Sequence, residues 1–264
     1  MRRIVLIATT IGVLVAAGAA YAVTQINTYT ATVKVTSKAA GTAKKPAPIG
    51  YTLDLGANGT NGNRTAILEE IDTKIYGLAV DQKDFPTCSL TAIANAKNDT
   101  ICPKGALVAS GYIHAEVGNP KDFTTAATPC DPALDLWNSG AGKMTFFFVD
   151  TPAHNCNGLG LKTGSTGPYP ATVKTHGKYL DLDTPIPAFI GRPLGLAGSL
   201  QVEHLVFTHQ SKKVKGKTVQ SLASVACLGK KRPYSVSFTA NLPDPATGLG
   251  GTTQTATVSH TAPC

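Results

Sequence analysis

No G-x-S-x-G elbow occurs in the chain, and no serine or cysteine stands beside a histidine and an orienting carboxylate in a hydrolase spacing, so nucleophilic hydrolysis has no visible machinery. There is no C-x-x-C pair, and the one close His/Cys grouping, His154-Asn155-Cys156, lacks partners at ligand spacing, which argues against a zinc site. Gly216-Lys217-Thr218 has the tail of a phosphate-binding loop, but Ser211 stands where the motif needs its first glycine. Gly158-Leu159-Gly160 is a weak echo of a nucleotide loop, with neither a preceding strand nor a following helix pattern. Trp137 is the only tryptophan, thin material for a sugar-binding platform. Nothing in the chain calls for a cofactor.

What is present begins with an export signal. Met1-Arg2-Arg3 is a basic opening, residues 4–19 are apolar, and Ala20-Tyr21-Ala22 is a small-x-small processing site, so cleavage is expected before Val23. No lipobox cysteine accompanies it. The alternative is an uncleaved anchor, since residues 4–22 are just long enough to span a hydrocarbon core of roughly 20 residues. Removal of residues 1–22 leaves 242 residues with 24 − 2 = 22 Lys plus Arg against 16 Asp plus Glu, a net charge of +6. An exported chain rarely meets nucleic acid, so the excess points to solubility, or to an anionic envelope polymer or lipid.

Six cysteines in an exported chain imply disulfides. Sequence proximity pairs Cys88 with Cys102, Cys130 with Cys156 and Cys227 with Cys264, each closing a local excursion. The stretch 85–105 then becomes a closed loop in which Ser89 caps a short helix and Leu90 and Ile93 face inward. Strand-like residues 70–80 and 106–117 flank it, so the bridge is expected to clamp two strands at a sheet end.

The rest of the chain reads as short strands separated by Gly/Pro turns. Residues 28–36 and 51–55 alternate apolar and polar side chains, and the Gly/Asn cluster 56–63 is read as a surface loop. Residues 66–79 fit a helical stripe or a strand; the period-two recurrence of Ile71, Thr73 and Ile75 favours a strand from Glu70 onward. Residues 144–149, MTFFFV, have no polar face, which predicts a central strand covered on both sides. Residues 171–176 and 178–183 form a hairpin about Gly177, residues 200–209 and 218–227 a longer hairpin around a lysine-rich tip, and residues 234–241 and 252–260 a last pair. The sum is an all-β, two-sheet antiparallel β-sandwich with a short helix in the Cys88–Cys102 loop. Residues 23–264 form one β-rich domain, or two packed units near 23–118 and 140–264.

Phe85-Pro86-Thr87-Cys88-Ser89, the run Cys102-Pro103-Lys104-Gly105-Ala106 leading into a Val-x-x-Gly strand, the Lys/Pro loop at 41–48, and the close from Ser237-Phe238-Thr239 to Cys264 resemble a group of uncharacterised secreted actinobacterial proteins. The resemblance covers about half of the mature chain and fails over 118–177. Its motifs fix turns, and it implies secretion without implying an activity.

Asp181 and Asp183 share one strand face about 7 Å apart, a spacing open to a glycosidase pair, although such pairs come from different strands; a solvated strand face is the plainer reading. His114, His154, His176, His204, His209 and His260 are scattered, and Glu203 and His204 point to opposite sheet faces. Lys212, Lys213, Lys215 and Lys217 crowd one tip, and Lys230-Lys231-Arg232 makes a second basic turn; the first tip could contact an anionic surface or merely keep a hairpin soluble. The function expected is a non-catalytic secreted or envelope-associated protein with a binding, adhesion or structural role. A hydrolase acting on wall glycan or peptide is the alternative.

Overall fold

The structure, a computed structural model, describes residues 26–36, 40–125, 127–162 and 166–264, so the signal segment 1–22 and its processing site lie outside the described residues. Seventeen strands run along the described chain: β1 Asn27–Val35, β2 Ala47–Pro48, β3 Tyr51–Gly59, β4 Ile67–Tyr76, β5 Leu78–Val80, β6 Leu107–Gly118, β7 Thr128–Cys130, β8 Ala133–Gly140 and β9 Lys143–Val149 come first. They are followed by β10 Tyr169–His176, β11 Tyr179–Pro185, β12 Ala197–Phe207, β13 Ser211–Val214, β14 Lys217–Gln220, β15 Leu222–Ser224, β16 Lys231–Leu242 and β17 Thr252–Pro263. The helices are short: α1 Leu90–Ala96 and the single turn α2 Ala188–Gly191.

The all-β, antiparallel class holds, but the strands do not divide into two stacked sheets. Twelve of them form one sheet in the order β1-β3-β12-β6-β8-β9-β10-β11-β4-β16-β17, with β7 added to β6. Register shifts at Leu107/Ala109, Asn138/Gly140, Leu200/Val202 and Thr239/Ala240 bend this sheet and increase its twist. A sheet of this width curls, and here it curls until its first strand meets its last pair. Tyr29 stacks on Phe238 at 4.4 Å, the Tyr234 hydroxyl donates to Ala31 O at 3.2 Å, and Ile26 N donates to Gln254 Oε1 at 2.9 Å. The result is a nearly closed barrel with a side-chain seam.

Period-two alternation aims Leu53, Leu205, Leu136, Phe146, Ile75 and Val236 into the interior, where all are almost fully buried. Phe146 and Phe148 point inward from β9, while Phe147 points outward beneath the Cys88–Cys102 loop, packed with Ile93 and Trp137. The strand is thus covered on both sides, as its lack of a polar face predicts. The loop carries the expected helix: the Ser89 hydroxyl accepts from Ala92 N at 3.1 Å, and Lys97 ends the helix in the left-handed conformation.

All three local disulfides form: Cys88–Cys102, Cys130–Cys156 and Cys227–Cys264. The first does not clamp two neighbouring strands, because β4 lies between β11 and β16 while β6 lies between β12 and β8. It instead pins a cover onto the outside of β8 and β9.

Three further expectations are corrected. β4 starts at Ile67, three residues before Glu70, because the register shift near Leu68 turns that side chain into the core as well. β3 runs to Gly59, so half of the 56–63 cluster is strand. Residues 200–209 and 218–227 are not hairpin partners: β12 is taken up between β3 and β6 through its apolar alternation, and β15 joins β2 and β5 in a small sheet. The lysine tip has no apolar face to bury and forms its own hairpin, β13–β14, turning at Lys215 and Gly216, both at positive φ. The nucleotide-loop reading of Gly216-Lys217-Thr218 ends there, since a strand follows the glycine and not a helix.

Candidate functional site

The two ends of the barrel differ. At the end where β12 finishes, Arg232 is fully buried and donates to Tyr76 O, Ala226 O and the Ser224 hydroxyl. The run Lys230-Lys231-Arg232 predicts a basic turn, but alternation with Tyr234 and Val236 puts Arg232 on the core face instead. At the end where β12 starts, Arg64 is buried and donates through its terminal nitrogens to Asn119 O, Asp122 O, Ala197 O and the Ser199 hydroxyl, with its guanidinium over the Phe123 ring at 4.8 Å. The Nε of each arginine is buried without a partner among the described residues. Carbonyl oxygens and hydroxyls supply the acceptors for both cations.

Between that second end and the main core lies an apolar cavity of about 90 Å³. Ile113, Ala115 and Val117 of β6, Phe148 of β9 and Leu200 of β12 form its walls. Phe189 and Ile190 of α2 and Pro193 cover it. The sequence builds this cover for local reasons. Pro185 and Pro187 end β11, Gly191 fits against Ile67 where a Cβ would approach the Ile67 side chain to 2.9 Å, and the Arg192 guanidinium ties the segment to Gly248 O at 2.8 Å and Asn241 Oδ1 at 3.3 Å. Phe189 stays exposed at the rim, at 48%, and Leu194, next to Pro193 in the chain, is exposed at 71%. Mouths of β-barrels are a recurrent place for small-molecule sites.

Among the described residues lining the cavity, three carry polar side chains, Thr166, Tyr169 of β10 and Glu203 of β12, and the last two titrate. Both are buried. Burial alone pushes the Glu203 carboxyl from its ordinary 4.5 up to about 7, and among the described residues no ion pair or hydrogen bond acts on it. Burial raises the Tyr169 phenol well above its usual range, with the Glu203 charge adding in the same direction. A buried carboxyl without a partner is costly, and perturbed groups in concave sites mark candidate functional positions.

The residues singled out in the sequence lie elsewhere. Asp181 and Asp183 sit on the outer face of β11, where Asp181 is flanked by its cross-strand neighbours Lys174 and Lys74 and its carboxyl lies 3.9 Å from Lys74 Nζ. Burial and then Asp72 raise the Asp181 carboxyl, and this row of charges is a feature of the outer surface rather than a catalytic cleft. His204 Nδ1 and Asp54 Oδ1 are 2.6 Å apart, as are His114 Nδ1 and Asp131 Oδ1, and Tyr112 stacks on both His154 and His204. None of the six histidines lines the cavity. Glu203 and His204 do face opposite sides of the sheet. Cys156 is bridged, which removes it from the His154-Asn155-Cys156 grouping, and among the described residues no group of three or more His, Cys, Asp or Glu could hold a metal. Gly158 and Leu159 belong to a single 3-10 turn beginning at Asn157. Lys212, Lys213, Lys215 and Lys217 are exposed on β13–β14, beyond the end of β12 that lies away from the cavity.

Among the described residues no helix is long and apolar enough to cross a membrane. No family model matches the chain and no curated protein matches it. Among solved structures, one described as "AvmM Catalyzes Macrocyclization in Alchivemycin A Biosynthesis" aligns over 88% of this chain and 87% of its own, at 10% identity and a TM-score of 0.24. A likeness that slight carries no argument about what this chain does.

Proposed function

We propose that the mature chain is an exported, non-catalytic binding protein that takes the apolar part of a small molecule into the cavity beneath α2. The observation that carries this reading is the cavity itself: an apolar chamber at a barrel end, roofed by one helical turn and reached by two unpaired polar side chains. Its size is below the ~150 Å³ of an engineered cavity that binds benzene, so it encloses a short alkyl segment or one edge of a ring while the rest of the molecule extends past the exposed rim. Binding is favoured over hydrolysis because, among the described residues, Glu203 alone brings a carboxylate to the cavity lining and no histidine joins it.

Three disulfides indicate maturation in an oxidising compartment. We place the protein outside the cytoplasmic membrane, released by cleavage before Val23, with the lysine tip as its contact with anionic envelope polymer or lipid. Each lysine there contributes at most about 1 kcal/mol. Amino-terminal sequencing of protein from culture supernatant is expected to begin at Val23; retention of Met1 on a membrane-bound form rejects release.

The cavity is tested with N-phenyl-1-naphthylamine, whose emission rises on leaving water. Wild type is expected to bind it, and Ala115→Phe, which fills the chamber from β6, to reduce the affinity at least about tenfold at a stability cost of about 1–3 kcal/mol. Equal dye binding by a folded Ala115→Phe variant rejects the site.

A further inference from the structure

Within the cavity just proposed, and resting on that reading, Glu203 and Tyr169 are, among the described residues, the side chains of the lining that titrate, since Cys130 and Cys156 are bridged to each other. One comes from β12 and the other from β10, strands separated in the sheet by β6, β8 and β9. They therefore reach the chamber from well-separated parts of the wall. Each is buried, at 9% and 4%. The Tyr169 ring stacks on Phe146 at 5.1 Å and lies 5.7 Å from Phe148, but among the described residues neither the phenol oxygen nor the carboxyl has a hydrogen-bond partner, and the one electrostatic interaction between titrating groups there is theirs. Buried polar groups in folded proteins are paired in the great majority of cases. Two left open toward the same apolar chamber define a site with a partner to receive.

We propose that Glu203 and Tyr169 form a two-donor site that holds the carbonyl oxygen of a neutral, otherwise apolar ligand. The phenol donates its O–H, and the carboxylic acid donates when protonated. Three observations favour this chemistry. Among the described residues no Lys, Arg or His lines the chamber, so an anionic ligand finds no countercharge there. A cationic ligand would satisfy Glu203 but leave the Tyr169 O–H without an acceptor, and burying the ion pair costs about as much as it returns. A carbonyl oxygen has two lone pairs and accepts from both groups at once. A carboxylic acid kept neutral by an apolar site and donating beside a tyrosine is known chemistry, seen in ketosteroid isomerase.

The proton on Glu203 follows from its surroundings. Tyr169 is the one titratable neighbour in the chamber, its own proton is held well above neutrality, and desolvation leaves the Glu203 acid largely protonated below about pH 7. Affinity for the carbonyl should therefore fall as pH rises through about 7.

The test uses cyclohexanone, cyclohexane and cyclohexylamine, one ring with three chemistries, competed against N-phenyl-1-naphthylamine on the full mature chain. The readout is the ketone-to-hydrocarbon affinity ratio, which cancels the burial common to both. At pH 6 the ratio is expected to fall about tenfold in Glu203→Leu and severalfold in Tyr169→Phe. Glu203→Gln, which keeps an N–H donor, should retain the ratio and lose its decline between pH 6 and 8. A ratio unchanged in both Glu203→Leu and Tyr169→Phe overturns the proposal while leaving the cavity reading intact. Preference for cyclohexylamine over cyclohexanone at pH 8, abolished by Glu203→Gln, overturns it in favour of a cation site. Failure of wild type to bind the dye or any of the three rings removes the cavity reading and this one with it.

Discussion

Glu203 illustrates how a single residue can be visible in a sequence and still be misplaced in importance. Its parity with Leu205 and Phe207 put it on the core face of its strand, opposite His204, and that much was legible from alternation alone. What alternation cannot give is the absence of a partner, which depends on side chains arriving from β6, β9 and β10. Arg232 was misread for a related reason: the run Lys230-Lys231-Arg232 looks like a charged turn until β16 is seen to begin at Lys231, which sends Arg232 inward with Tyr234. The Glu203 carboxyl also marks the pH dependence of stability. Because its folded value is raised, its contribution is full below about 4.5, declines as pH rises, and is gone above about 7. The shift of 7 − 4.5 corresponds to about 3 kcal/mol. Urea unfolding of wild type and Glu203→Gln across pH 4 to 8 is expected to show the difference in stability moving in favour of the variant by up to about 3 kcal/mol. Asp135, whose carboxyl is pushed up to about 7 first by burial and then by Asp99, is present in both proteins and cancels. Parallel profiles for the two would contradict the desolvated carboxyl.

At the scale of elements, local signals were read well and partners poorly. The helix under Ser89, the β10–β11 hairpin about Gly177, the β16–β17 pair and all three disulfides were recoverable, because each depends on residues close in sequence. The neighbours of β12 were not, because β3 and β6 are far from it along the chain and only packing selects them. The Cys88–Cys102 loop shows what an element does beyond its own geometry. It covers Phe147 and Trp137, and the Trp137 indole donates to Asp99 Oδ2 at 3.1 Å. Replacing both cysteines with alanine removes the bridge across a sequence separation of 14, with an expected cost of about 3 kcal/mol. Trp137 is the sole tryptophan, so its emission reports on the cover directly. A red shift in the double variant under native conditions, at a denaturant below the global midpoint, is the expected sign that the loop has lifted; coincident loss of emission and of strand signal would instead make the loop part of the global unit.

For the whole molecule, the barrel separates two surfaces. The cavity lies where β12 starts and the lysine hairpin β13–β14 lies beyond where β12 finishes, with the packed core between them. Changing Lys212, Lys213, Lys215 and Lys217 together to glutamine is expected to leave dye affinity within about twofold of wild type, because distant sites without shared partners act additively. The same variant should lose salt-sensitive co-sedimentation with anionic vesicles. A large change in dye affinity would mean that the two ends communicate.

The placement of β12 between β3 and β6 also sets a timetable. Leu53 pairs with Leu205 across 205 − 53 = 152 residues, and β6 waits for the same strand. Until that stretch has been synthesised, β3 and β6 have exposed apolar faces and one missing neighbour each. Pairings this distant in sequence carry a loop-closure cost before they return any stability, so assembly is slow. A chain that cannot complete its central ladder early keeps two strand edges open to mispairing until its last third arrives.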